Sequence, residues 1–225
     1  MATTRQIQTR LNDLGYGTLD VDGVNGPKTE EAVRNFQRDN RLTVDGDPGR
    51  NTQAVLFPDA AKTSGLKRII MHWSAGGHKV SGVDKQHYHF IVSGSGEVVA
   101  GDRTPEDNIS TSDGRYAAHT YMGNTGSIGV SLASMIGARE APFSAGSQPI
   151  TEAQLDAFTT LVASLSKKYG IDITRETVLS HAEVQPTLGI AQKGKWDIAW
   201  IPGMDKPGNP VEVGDRIRSM IIEKL

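Results

Sequence analysis

Six histidines carry most of the chemical potential of this 225-residue chain, and all of them lie beyond residue 71: His72, His78, His87, His89, His119 and His181. Cysteine is absent, so disulfides and thiolate metal sites are excluded, and any metal must be held by histidine and carboxylate. Two of the six stand out by context. His72 ends the apolar, β-branched run "RIIMHW" just before the small residues "SAGG", and His181 ends "ETVLSH". Strand ends that open into loops converge at one rim of a sheet, and Asp197 in "GKWDIAW" offers a carboxylate on a neighbouring loop. Three protein ligands with a fourth position left for water is the arrangement of hydrolytic zinc. Taken singly, each has a plainer account, a hydrogen-bonded histidine or a turn aspartate. No short motif such as H-E-x-x-H joins them.

These residues need a sheet to position them. "KRIIMHW", "HYHFIVS" and "GSIGVSLA" read as strands, and "GEVVAG" pairs with the second of them as a hairpin across "GSG". "ETVLSHAEV" reads as a strand running out into a loop at His181. The clearest helix is "TEAQLDAFTTLVASLSKKYG": Leu155, Phe158, Val162, Leu165 and Tyr169 recur at steps of three and four, Thr151 and Gln154 form a capping box, and Gly170 stops it. A last helix, about 212 to 224, buries Ile217, Met220 and Ile221. The pattern predicts an α/β domain with a mixed central β-sheet flanked by helices.

The first 71 residues hold no histidine and repeat themselves. "DGVNGPKTEEAV" from residue 22 recurs as "DGDPGRNTQAVL" from residue 45, each a glycine-rich turn followed by a threonine at a helix start. Ala32, Val33 and Phe36 form one buried stripe, and Ile7, Leu11 and Leu14 another that Gly15 ends. Three short helices around a small core follow from this, near the lower size limit for independent folding. "FPDAAKTSG" has no periodicity and reads as a linker, giving a division of 1–58, a linker at 59–65, and 66–225. A formal net charge of -2 gives no basic field for nucleic acid. No apolar run is long enough to span a bilayer, and the N-terminus lacks a signal-peptide core.

The first segment resembles a peptidoglycan-binding module, on "LNDLGYG", "DGVNGPKTEEAVRNFQRDNRL" and "DGDPGRNTQAV". The second resembles the zinc-dependent N-acetylmuramoyl-L-alanine amidases related in fold to peptidoglycan recognition proteins. "IIMHWSA", "HYHFIVSGSGEVVAG", "AAHTYMGNTGSIGVSL", "LSHAEV" and "GKWD" carry that resemblance, in that order. It implies His72, His181 and Asp197 as ligands of Zn²⁺, Lys195 as a catalytic cation, and Tyr88 as a polar catalytic group. His119 becomes a substrate-groove residue. Two departures stand out. Ser131 occupies a position where one branch carries an acid/base glutamate, and the insert "QPTLGIAQKG" between His181 and Asp197 is longer than is common, which keeps Asp205 in play as a ligand.

Trp73 and Trp196 flank the ligand candidates, with groove lining and core packing as equal accounts; Trp73 is the substrate-binding candidate of the two. His89 is expected to pack on the face opposite Tyr88, and His78 and His87 to be solvated. The resemblance implies hydrolysis of the bond between N-acetylmuramic acid and L-alanine by zinc-activated water, in an endolysin held in the host cytoplasm until lysis. The alternatives are a non-catalytic wall binder and a zinc peptidase cutting within the stem peptide. The expected partner is peptidoglycan, engaged by a monomer with no nucleic acid and no membrane insertion.

Overall fold

The computed structural model describes residues 2–57 and 65–225. The chain divides into two compact units, Met1–Ser64 and Gly65–Leu225. The expected linker lies outside the described residues except for Gly65.

The first unit consists, in its described part, of helices α1 (Thr4–Asp13), α2 (Pro27–Asp39) and α3 (Arg50–Leu56). Thr3 and Gln6 cap α1 reciprocally, and Pro27 opens α2 at a position where its missing N–H costs nothing. Ile7, Leu11, Ala32, Val33, Phe36 and Leu56 form the core, with Tyr16 edge-on to Phe36 at 5.2 Å. Leu14 is not part of it: at the C-cap of α1 it is 41% exposed. Thr29 is no helix cap either, because Gly26 takes that place.

What Thr29 does explains the repeat. The buried Gln8 amide donates to Asp22 Oδ1, Val24 O and Thr29 Oγ1 and accepts from Gly23 N–H. Gln37 does the same in the second copy, donating to Asp45 Oδ1, Asp47 O and Thr52 Oγ1 and accepting from Asp45 and Gly46 N–H. Each D-G-x-x-G turn is thus locked by a glutamine from a preceding helix. The glycines after the aspartates sit at φ +81° and +79°, a left-handed conformation that favours Gly.

The second unit is a five-stranded sheet in the order β3-β2-β4-β1-β5. Its strands are β1 (Arg68–Trp73), β2 (Phe90–Val92), β3 (Val98–Ala100), β4 (Ser127–Leu132) and β5 (Val178–Ser180). β3 is antiparallel to β2 and the other pairings are parallel, so the sheet is mixed as expected. Helix α4 (Gly82–His87) precedes β2, shortening the expected strand at its start. Helices α5 (Glu152–Tyr169), α6 (His181–Leu188) and α7 (Pro210–Ile222) complete the fold.

The central strands are buried and alternate in what they serve. Ile69, Met71 and Trp73 of β1, with Ile128, Val130 and Leu132 of β4, join Phe158, Val162, Ile217 and Ile221 in the main core. Each such side chain contributes roughly 1.5–3 kcal/mol by leaving water. The intervening residues face the other way. There β1 presents Ile70 and His72, in register with Gly129 and Ser131 of β4. That face of β4 reads Ser127, Gly129, Ser131, small residues that leave room for rings above the sheet. Among the described residues no helix is long and apolar enough to cross a membrane.

Candidate metal centre

His72 is delivered by β1, rigid because it is hydrogen-bonded on both sides. His181 is delivered differently from expectation, as the first residue of a helix and not at the start of a loop. The Glu183 carboxylate accepts from Ser180 N–H at 2.7 Å, satisfying a donor at the helix start. Arg218 of α7 holds the same carboxylate at 2.8 Å and also donates to Val178 O. The S-x-x-E spacing at 180–183 is a helix-start signal that the strand reading passed over. Asp197 follows on a loop whose backbone is tied to α6, Ala182 N–H donating to Asp197 O at 2.6 Å.

His72 Nδ1, His181 Nδ1 and Asp197 Oδ2 stand 3.1 Å apart in all three pairs. All three residues are buried. Their outer contacts decide what lies between them. His181 Nε2 sits 2.8 Å from Gln192 Oε1, which can only accept, so this nitrogen carries the proton. His72 Nε2 meets His119 Nδ1 at 3.2 Å, and the other His119 nitrogen faces Ser127 O; His72 Nε2–H therefore donates to His119. Both inward Nδ1 atoms are then lone pairs, facing each other and a carboxylate oxygen with no proton among them. A cation set between them would satisfy that arrangement. Ligands ~2.0–2.1 Å from a tetrahedral zinc lie roughly 3.3 Å apart, and the 3.1 Å triangle fits it. Asp205 is exposed and stands outside the cluster.

Electrostatics agree. Burial drives the His72 pKa down to about 4, against the pull of Asp197, keeping the imidazole in the neutral form that metal binding requires. His119 is pushed well below its ordinary value, by burial first and then by its histidine neighbours. Burial, followed by the negative charge of Asp197, raises the Tyr88 phenol. Its ring lies 5.2 Å from that of His72, beside Ser131, whose buried Oγ has no hydrogen-bond partner among the described residues.

A groove of about 410 Å³ runs past His181 and His119, walled by Tyr116, Tyr121, Lys193 and Lys195. Lys195 is exposed there. His119 touches the groove but is 7% exposed; its ring chiefly backs His72, over Gly129, where a Cβ would come within 2.5 Å of it.

Trp73 is corrected. Strand alternation turns it away from His72 into the main core, edge-on to Trp196 at 4.6 Å. His78 is not solvated as expected: half-buried against Gly94, it donates from Nε2 to Pro149 O at 2.7 Å. His87 is exposed, and His89 is buried, bonded to Asn108 Oδ1 and accepting from Gly129 N–H. Gln192 and the Glu183–Arg218 pair carry no local sequence signal for these roles beyond the capping box.

The sequence pattern of the N-acetylmuramoyl-L-alanine amidase family matches residues 58–204, the greater part of the chain. The chain belongs to that family. A peptidoglycan binding domain pattern matches residues 2–56 ahead of the amidase region. Similar solved structures include the amidase LysC from Clostridium intestinale URNW, at 14% identity over 69% of this chain and 88% of that one, with a TM-score of 0.40. Another is a complex of the peptidoglycan recognition protein ectodomains LCa and LCx bound to tracheal cytotoxin, at 22% identity over 52% and 70%, with a TM-score of 0.35. The amidase is thus a peptidoglycan hydrolase carrying a helical wall-binding unit.

Proposed function

We propose that His72, His181 and Asp197 hold a zinc ion and that the amidase cuts between the muramyl lactyl group and L-alanine. The triangle of three unprotonated donor atoms carries this reading. Bound there, zinc lowers the pKa of a water toward ~7 and polarises the scissile carbonyl. The chain's own residues supply the rest. Lys195, at the groove, faces the negative charge that develops on the carbonyl oxygen and stabilises it. Tyr88 keeps its proton at neutral pH and, in the place of the missing glutamate, donates it to the departing amine. Its neighbour Ser131 is too short to replace a carboxylate. His119 fixes the tautomer of His72 from behind. The first unit grips the polymer and raises the local concentration of scissile bonds. This pairing of wall binding with amide hydrolysis suits lysis of a host cell from its own wall, with one chain sufficing.

Mass spectrometry of purified peptidoglycan digests tests the reaction. The amidase reading predicts intact peptides beginning at L-alanine and no new reducing ends, lost on chelation and regained with zinc. Zinc-dependent cuts inside the stem peptide would keep the metal site and overturn the assigned bond. Binding without products under any condition would overturn both.

A further inference from the structure

We propose that Gln192 is a positioning residue that joins the metal ligand His181 to the wall of the substrate groove, so that peptide held against the wall and metal geometry are set by one amide. This inference rests on the zinc reading above. Gln192 is 5% exposed. Its Oε1 accepts from His181 Nε2–H at 2.8 Å, and its Nε2 donates to Tyr121 O at 3.0 Å. Its own backbone N–H donates to Oε1 of Gln185 at 3.0 Å, on the helix that His181 begins. The side-chain amide is therefore fixed at both ends, its Nε2 also reaching Ile190 O at 3.4 Å, and the backbone bond to Gln185 anchors the residue itself.

The choice of residue follows from those targets. A neutral amide offers an acceptor and a donor on one planar group. Leucine has a similar size and neither function; glutamate keeps the acceptor and loses the donor. The acceptor end commits the His181 proton to Nε2 and turns the Nδ1 lone pair toward His72 and Asp197. The donor end pins the carbonyl of Tyr121, whose side chain is 66% exposed beside Met122 at 76%. Met122 adopts φ +53°, a conformation that needs outside support in a non-glycine residue. The same stretch begins with His119, the outer partner of His72, and Asn124 Oδ1 braces it by accepting from His119 and Thr120 N–H. One groove-wall segment thus backs both histidine ligands, directly for His72 and through Gln192 for His181. Gln192 lies in the insert between His181 and Asp197, which gives that longer segment a purpose.

The test uses the full chain and the variants Gln192→Leu and Gln192→Glu. It measures zinc affinity by chelator competition, metal-free melting, and KM and kcat on soluble peptidoglycan fragments. For Gln192→Leu the expected result is zinc affinity lower by about 10–100-fold and a raised KM. Gln192→Glu is expected to bind zinc at least as tightly as the wild type, because its carboxylate still accepts from His181, while KM rises because the Tyr121 carbonyl is released. Zinc affinity within twofold of wild type in Gln192→Leu overturns the inference, with the zinc reading intact. So does a parallel loss of zinc affinity and melting temperature in both variants, which marks a merely structural residue. A wild-type chain that takes up no zinc sinks the zinc reading itself, and this inference with it.

Discussion

The two units bury polar side chains in opposite ways. In the wall-binding unit Gln8 and Gln37 sit inside, and every polar atom of each amide meets a partner within its own turn. Nothing is left over, and the result is scaffold. In the amidase unit, three lone-pair atoms crowd together. The five buried side-chain polar atoms without a partner among the described residues, Ser131 Oγ among them, also all fall in that unit. A satisfied network stabilises a fold, whereas a deficit of protons or partners points to something the protein binds.

The largest expected contrast is between Asp197→Ala and Gln37→Ala. Removing Asp197 should take hydrolysis to background while the metal-free chain keeps its fold, because Asp197 lies on a loop outside the hydrophobic core. Gln37→Ala should do the reverse. It strips the lock from Asp45, Asp47 and Thr52 and costs about 2–3 kcal/mol, enough to unfold a unit this small. Cleavage of soluble fragments should persist and binding to whole walls should be lost. Calorimetry, wall pull-down and fragment assays read the two outcomes; equal effects of both variants on stability would erase the contrast.

That contrast also marks what was legible in the sequence. His72, His181 and Asp197 were nameable because strand patterning brought His72 and His181 to one rim and the family blocks placed Asp197. The repeat was visible as spacing, yet its cause was not, since Gln8 and Gln37 lie outside the repeated segments and act across 14 and 8 residues. Trp73 could not be placed from its neighbours, because a one-residue step along β1 separates groove from core. His78 looked solvated in a loop, and only the distant Pro149 carbonyl shows otherwise. Gln192 was silent for the same reason: its partners His181 and Tyr121 are 11 and 71 residues away.

Acid should separate the units next. His89 is buried and neutral, and burial drives its pKa down to about 4. The unfolded chain, with histidine near 6.5, binds that proton first as pH falls. Stability is therefore full above ~6.5 and declines toward ~4, by on the order of 3 kcal/mol. In the first unit, Asp22 and Asp45 are held below the ordinary carboxylate range, Asp22 chiefly by Gln8 and Asp45 by Asp47 N–H and Gln37. That contribution is present at neutral pH and is lost only at still lower pH. The three tryptophans, Trp73, Trp196 and Trp200, all belong to the amidase unit. Tryptophan fluorescence of the metal-free full chain should thus show an unfolding transition that weakens in His89→Gln. A pH response unchanged by that variant would contradict the assignment.

A smaller effect is expected at Gly129. A Cβ there meets the His119 ring, so Gly129→Ala should cost about 1–3 kcal/mol and loosen the support of His72. Zinc affinity should fall along with melting temperature, as chelator competition would show; an unchanged affinity would mean that His72 does not depend on the ring behind it.

The most direct test of the central claim is zinc content and hydrolysis measured on the same preparations of wild type and His181→Ala. The predicted result is one zinc per wild-type chain, with activity lost on chelation and restored in proportion to zinc returned, and neither zinc nor activity in His181→Ala. Full activity in a wild-type chain stripped of metal would contradict the account.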